Sequence, residues 1–160
     1  MHRYNLLLAL VLLAPGVPAL ESDQQQPIEL SADFADIDES RGVSVYKGNV
    51  DIRQGTIRLQ ADVVTVHHED RRPSKMIAEG GPVQFTQDTE TGPVKGRAKR
   101  AEYEVNTENL VLIGDAVVVQ NNDTMRSDRI LYDRVRSVVR AGAAAQGKQR
   151  VRITIQPPAR

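Results

Sequence analysis

Tyr46-Lys47-Gly48-Asn49-Val50-Asp51-Ile52-Arg53-Gln54-Gly55-Thr56-Ile57-Arg58-Leu59-Gln60-Ala61-Asp62 sets two runs of alternating apolar and polar residues about a Gly-containing turn and closes on Ala-Asp. A period of two sends successive side chains to opposite faces of a strand. The same grammar returns in Ile28-Glu29-Leu30-Ser31-Ala32-Asp33, in Arg100-Ala101-Glu102-Tyr103 and in Arg126-Ser127-Asp128-Arg129-Ile130. Gly48, Gly80-Gly81, Gly114 and Gly142 each follow one apolar run and open another, about every 30 residues, the spacing of stacked units. One apolar and one charged face per run predicts antiparallel sheet wetted on one side. The expected fold is all-β, a jellyroll-like sandwich in which two facing antiparallel sheets line a long interior. Turns are expected at Lys47-Gly48-Asn49, Gln54-Gly55, Glu79-Gly80-Gly81, Thr91-Gly92-Pro93 and Asn121-Asn122-Asp123.

The first residues read as an export signal. Arg3 supplies the positive charge, Leu6 to Leu13 the apolar run, and Val17-Pro18-Ala19 the small-residue cleavage pattern. That run is shorter than the roughly 20 residues needed to span a bilayer as a helix. The expected organisation is a signal peptide over 1–19, a single domain over 20–156 and a short tail over 157–160, in an exported protein. With no Cys in the chain, an exported domain must be held by its core and strand pairing alone. Aromatic residues make up 4% and hydrophobic residues 40%, so that core is aliphatic. Net charge is zero but unevenly spread: residues 1–93 carry 8 Lys/Arg against 14 Asp/Glu, and residues 94–160 carry 13 against 7.

No catalytic constellation is apparent, and the chain reads as a non-enzyme without cofactor, metal or nucleic-acid partner. There is no Cys nucleophile, no Gly-x-Ser-x-Gly and no phosphate loop. His67-His68-Glu69-Asp70 is the nearest approach to a metal cluster, but neighbours on a strand face opposite ways. Beside Arg71-Arg72-Pro73 that run reads as a solvated loop. Lys95, Arg97, Lys99 and Arg100 either meet anionic groups or simply keep an outward face soluble.

Taken in order, Gln26-Pro27-Ile28, Tyr46-Lys47-Gly48-Asn49-Val50, Gln54-Gly55-Thr56-Ile57, Ala61-Asp62, Gly92-Pro93-Val94-Lys95-Gly96, Ala101-Glu102-Tyr103-Glu104 and Leu110-Val111-Leu112-Ile113-Gly114-Asp115-Ala116 resemble the periplasmic lipopolysaccharide-transport family of the LptA/OstA type. The resemblance spans Pro27 to about Ile155. It implies an open β-jellyroll in the periplasm, a slice of a bridge between an inner-membrane-anchored jellyroll partner and the jellyroll domain of an outer-membrane barrel. Lipopolysaccharide would pass along it with its acyl chains inside the roll. An aliphatic interior agrees with that role: moving an acyl chain of about ten methylenes into water costs roughly 8 kcal/mol. The expected lining is Ile28, Leu30, Val50, Ile52, Ile57, Leu59, Phe85, Tyr103 and Val105, each of which ordinary core packing also explains. Ile28 and Leu30 on the first strand, with Val151, Ile153 and Ile155 on the last, are expected to be assembly edges for head-to-tail self-association. A structural exported β-scaffold with no lipid ligand is the alternative.

Overall fold

The computed structural model describes residues 23–136 and 138–158. The expected signal peptide, 1–19, lies outside the described residues. Ten strands follow a short 3-10 turn at Asp23–Gln25. They are β1 Glu29–Ser31, β2 Phe34–Asp38, β3 Val43–Gln54, β4 Ile57–Glu69, β5 Arg72–Thr89, β6 Gly92–Glu104, β7 Asn109–Gln120, β8 Asp123–Asp133, β9 Val138–Ala141 and β10 Arg152–Thr154. A second 3-10 turn, Gly142–Ala145, separates the last two. All pair antiparallel in the order β1-β3-β4-β5-β6-β7-β8-β10, with β2 beside β3 and β9 beside β8. Asp70-Arg71 and Asn121-Asn122 adopt positive φ, which a two-residue hairpin turn demands.

The long strands do not run straight. Pairing slips between Lys47 and Val50, Gln60 and Val63, Glu79 and Val83, Arg97 and Arg100, and Ile113 and Ala116. These irregularities line up strand after strand, so they act as one crease. Extra residues in one strand bend it and sharpen its twist. β3 and β7 place Gly48-Asn49 and Gly114-Asp115 there, all four at positive φ, and β5 places Gly80-Gly81-Pro82. The intervening strands place Ala61-Asp62, Ala98-Lys99 and Ser127-Asp128, where Ala61, Ala98 and Ser127 are buried on the inside of the bend.

Leaving the ladder orphans backbone donors, and the crease aspartates meet them. Asp62 Oδ2 accepts the Gly81 N–H at 3.1 Å where β5 leaves the ladder, and Asp128 Oδ2 accepts at 2.7 Å the N–H of Lys148 in the segment that leads into β10. At the N-terminal edge the Asp33 N–H donates to the Gly48 carbonyl at 2.9 Å, while Asn49 Nδ2 donates to Asp33 Oδ2 at 2.9 Å.

The crease turns one sheet into two facing halves. Leu30, Ile52, Leu59, Phe85, Gly96, Val118, Met125 and Ile153 are successive register partners along one half. Ala35, Tyr46, Val64, Ala78, Ala101, Leu112, Ile130 and Ala141 are partners along the other. Both rows feed one aliphatic core. The halves touch where Gly96 meets Leu112: a Cβ on Gly96 would stand 3.0 Å from Leu112 Cδ1.

The open jellyroll is therefore the observed fold, with its expected parts redistributed. The two facing sheets are one creased sheet. Gly48 and Gly80-Gly81 are not turns but mid-strand bends, Gly48 because a bulge and a hairpin draw on the same left-handed backbone, and Gly114 bends β7 in the same way as Gly48. His67-His68 and Arg72 lie in β4 and β5, with only Asp70-Arg71 between them, not in a loop. The last strand is short, Arg152–Thr154, and β9 forms the rest of that edge.

Outside, charges are paired across strands. Arg58 binds Asp51 through Nε at 3.1 Å and Nη2 at 2.6 Å, and Lys75 reaches Glu102 and Glu104, both at 3.2 Å. The hydrogen bond from the Arg58 guanidinium, helped by a weaker one from Arg53, holds the Asp51 carboxyl down at about 2 against the opposing effect of burial. A depressed folded-state pKa stabilises above the unfolded value and is lost as protons bind on the way down. Stability should therefore fall between about pH 4 and pH 2, and the fall should be shallower in Asp51→Asn. Urea midpoints measured across that range check this; equal slopes in both proteins refute it.

Gly48→Ala should destabilise by about 1–2 kcal/mol, because φ is +80° there and the new Cβ would stand 2.5 Å from Asp33 Oδ2. Asp33→Gly removes the colliding atoms, Cβ at 2.9 Å included, together with the Asn49 hydrogen bond, so in its background Gly48→Ala should cost less in denaturant unfolding than it does in wild type. A Gly48→Ala protein as stable as wild type would show that the bend needs no glycine.

Candidate functional site

Between the two halves, lined by residues of β3 to β7 and by Arg134 after β8, lies a cavity of about 240 Å³. Ile52, Ile57, Leu59 and Phe85 form one wall, and Val64, Met76, Ala78, Ala101, Tyr103, Val105 and Leu110 the other. Ile28 crosses the mouth, 43% exposed, and Gln54 and Arg134 are the polar members of the lining. A dry cavity of roughly 150 Å³ admits a benzene-sized molecule, so this space holds a stretch of one alkyl chain. A bundle of chains would require the halves to part.

Of the nine expected lining residues, Ile28, Ile52, Ile57, Leu59, Phe85, Tyr103 and Val105 reach the cavity. Leu30 packs against the core further along its row, and Val50, 1% exposed, is sealed in the core just past the crease. Val105 is not on a strand. It follows β6 in the turn and donates its N–H to the Ser74 carbonyl at 3.0 Å. Gln54, Val64, Ala78, Ala101 and Leu110 also line it without having been expected, and so do Met76 and Arg134. Alternation with Ala78 was the available signal for Met76; a charged residue after a strand end gave none for Arg134.

The mouth is held by a polar staple. Asp23 accepts from the Thr56 N–H at 2.8 Å, the Thr56 hydroxyl at 2.9 Å and Gln87 Nε2 at 3.2 Å. Gln54 Nε2 donates to the Gln26 carbonyl at 3.1 Å. Together these pin the segment carrying Ile28 over the tip of the β3–β4 hairpin.

Arg134 closes the far side. Its side chain is only 6% exposed; Nη1 donates to the Tyr103 hydroxyl at 2.8 Å, and the guanidinium carbon lies 5.5 Å from the centre of the Tyr103 ring. Nη2 approaches Glu108 at 3.8 Å, a long pair. Burial pushes the Tyr103 hydroxyl above its ordinary pKa, so it remains neutral, an acceptor for Arg134.

Elsewhere, the two ends of the roll differ. β1 and β2 expose Phe34 and Ile37 among Glu29, Asp36 and Asp38; β10 and the residue after it expose Ile153 and Ile155. Beside β10 a basic cleft of about 1130 Å³ gathers Arg97, Lys99, Arg126, Lys148, Arg150 and Arg152 around the crease. Val117 is buried between Arg97 and Arg126, whose register partner it is in both directions. Among the described residues no three metal-ligating side chains converge, and no helix is long and apolar enough to cross a membrane.

This geometry has counterparts. The crystal structure of LptH, the LptA-homologous periplasmic component of the lipopolysaccharide transport device of Pseudomonas aeruginosa, superposes with a TM-score of 0.77 at 31% identity, covering 85% of this chain and 99% of that one. In sequence the chain is 32% identical to the lipopolysaccharide export system protein LptH of that organism, over 87% of this chain and 84% of LptH. It is 35% identical to LptA of Escherichia coli, over 80% of this chain and 72% of LptA. A stretch of 88 residues is 34% identical to part of the LPS-assembly protein LptD of Vibrio cholerae, 55% of this chain but 10% of LptD. The family model for the LptA/(LptD N-terminal domain) LPS transport protein matches residues 29–138, and the chain belongs to that family.

Proposed function

We propose that this protein carries lipopolysaccharide through the periplasm, holding acyl chains between the two halves of the creased sheet. The observation that carries the reading is the apolar cavity between the halves, found in a chain whose relatives are lipopolysaccharide export proteins. The lining is aliphatic and adaptable, and Met76 adds a side chain that repacks easily. Nothing in the site calls for a chemical step; the work is to keep methylenes out of water while the sugar end stays wet. Residues 1–19 act as the export leader that delivers the domain.

Transport over a distance needs the groove to continue into another module. Edge strands carry unpaired N–H and C=O groups that template a further strand. The β1–β2 edge of one copy meets the β9–β10 edge of the next, acidic Glu29, Asp36 and Asp38 against basic Arg140 and Arg152. The edges differ, so the contact propagates head to tail. An inner-membrane-anchored jellyroll and the jellyroll domain of an outer-membrane barrel end the stack. The likeness to part of LptD supports the second of these joints.

A photoreactive residue at Phe85 or Tyr103 should capture lipopolysaccharide in cells, whereas one at the outward Glu102 or Glu104 should not. Equal capture from both faces, or none at Phe85 and Tyr103, would favour the alternative of a scaffold that binds no lipid.

Assembly has its own test. Ile153→Pro should weaken self-association, read by light scattering over a concentration series, because proline donates nothing to a ladder. A folded variant that associates as well as wild type would place the joint elsewhere.

A further inference from the structure

Arg134 raises a question that acyl chains alone do not answer. An alkyl chain needs no guanidinium, yet this one lies against the apolar lining with a side chain 6% exposed. Its Nε–H is buried and has no acceptor among the described residues. Nη1 is engaged by Tyr103, and Glu108 balances the charge only through the 3.8 Å approach to Nη2. Buried donors left unmet are rare, and charged ones are the costliest. A group that enters the cavity with a strong acceptor oxygen would meet the orphan N–H and the under-compensated charge together.

We infer that Arg134 is the recognition residue for an anionic oxygen carried at the end of an alkyl chain, so that the cavity selects anionic amphiphiles over neutral ones. The inference rests on the reading of the cavity as an acyl-chain site and adds its polar end. A carboxylate or a phosphate offers the same chemistry: an oxygen for Nε–H and a negative charge competing with Glu108. Tyr103 stacks against the guanidinium and occupies Nη1, so the buried Nε–H and the loosely paired Nη2 are the donors left for the ligand. Glu108 sets the selectivity, because it is the internal anion that the ligand must outcompete.

Calorimetric titration of the full mature chain with dodecanoate, dodecyl phosphate and dodecanol, each below its micellar concentration, reads this directly. Wild type should bind at least one of the anionic amphiphiles about tenfold or more tighter than dodecanol. A gap for dodecyl phosphate alone identifies a lipid headgroup as the source, and one for dodecanoate alone a free fatty acid. Arg134→Met should shrink the gap to within about threefold, and Glu108→Gln should widen it. The second variant keeps Arg134 in place and decides the matter should the first fail to fold. Equal affinity for all three compounds in wild type, or a gap indifferent to both substitutions, overturns the inference while leaving the acyl-chain reading intact. If none of the three binds, the acyl-chain reading falls and takes the inference with it.

Discussion

A strand that keeps its ladder bonds cannot also fold back on itself, and every long strand of this protein must do both. Those demands are reconciled along one line of residues, where the ladder is interrupted in the same place on β3 through β8. In β3 and β7 a glycine followed by Asn49 or Asp115, all at positive φ, makes the bend; in β4, β6 and β8 a small Ala or Ser lets the inner surfaces meet, and Asp62 and Asp128 each accept a backbone N–H. The shared core, the cavity and the two unlike edges all exist because the bends coincide. Displacing the crease in one strand would break its register with both neighbours, since a slip of one residue exchanges its two faces.

The strands themselves were legible in the sequence: runs such as Ile57-Leu59-Ala61 and Ala101-Tyr103 announced their period, and paucity of aromatics announced an aliphatic interior. The crease was harder to read. Gly48-Asn49 and Gly114-Asp115 look like hairpin turns because bulges and turns draw on the same backbone region. A subtler signal was present. In β4 the inward positions pass from Leu59 and Ala61 to Val64 and Val66, an odd-to-even change at Asp62; β8 makes the same change at Asp128, and β6 the reverse one, from Val94 and Ala98 to Ala101 and Tyr103, at Lys99. A parity change inside an otherwise unbroken strand marks a bend, whereas a turn would reverse the chain.

The site was legible where it is apolar and illegible where it is polar. Phe85 and Tyr103 declare their face by alternation. Arg134 follows a strand end among charged neighbours, a context that reads as solvent, and only tertiary structure brings Tyr103 from β6 and Glu108 from the next turn against it. Leu30 and Val50 err in the other direction: their parity is inward, but position along the roll puts them beside packed core instead of open space. Parity fixes a face; it does not fix a depth.

The central claim is that two halves joined at a crease separate to admit cargo. The cavity of about 240 Å³ holds part of one chain, so loading more must move one half against the other. The protein has no cysteine, which makes paired spin labels unambiguous. Labels at Gln84 and Glu104, exposed on β5 and β6 in opposite halves, report that separation by pulsed electron resonance. The account predicts a longer distance, with a narrower spread, when lipopolysaccharide is added to the purified protein. A distance distribution that is the same with and without bound lipopolysaccharide would contradict it.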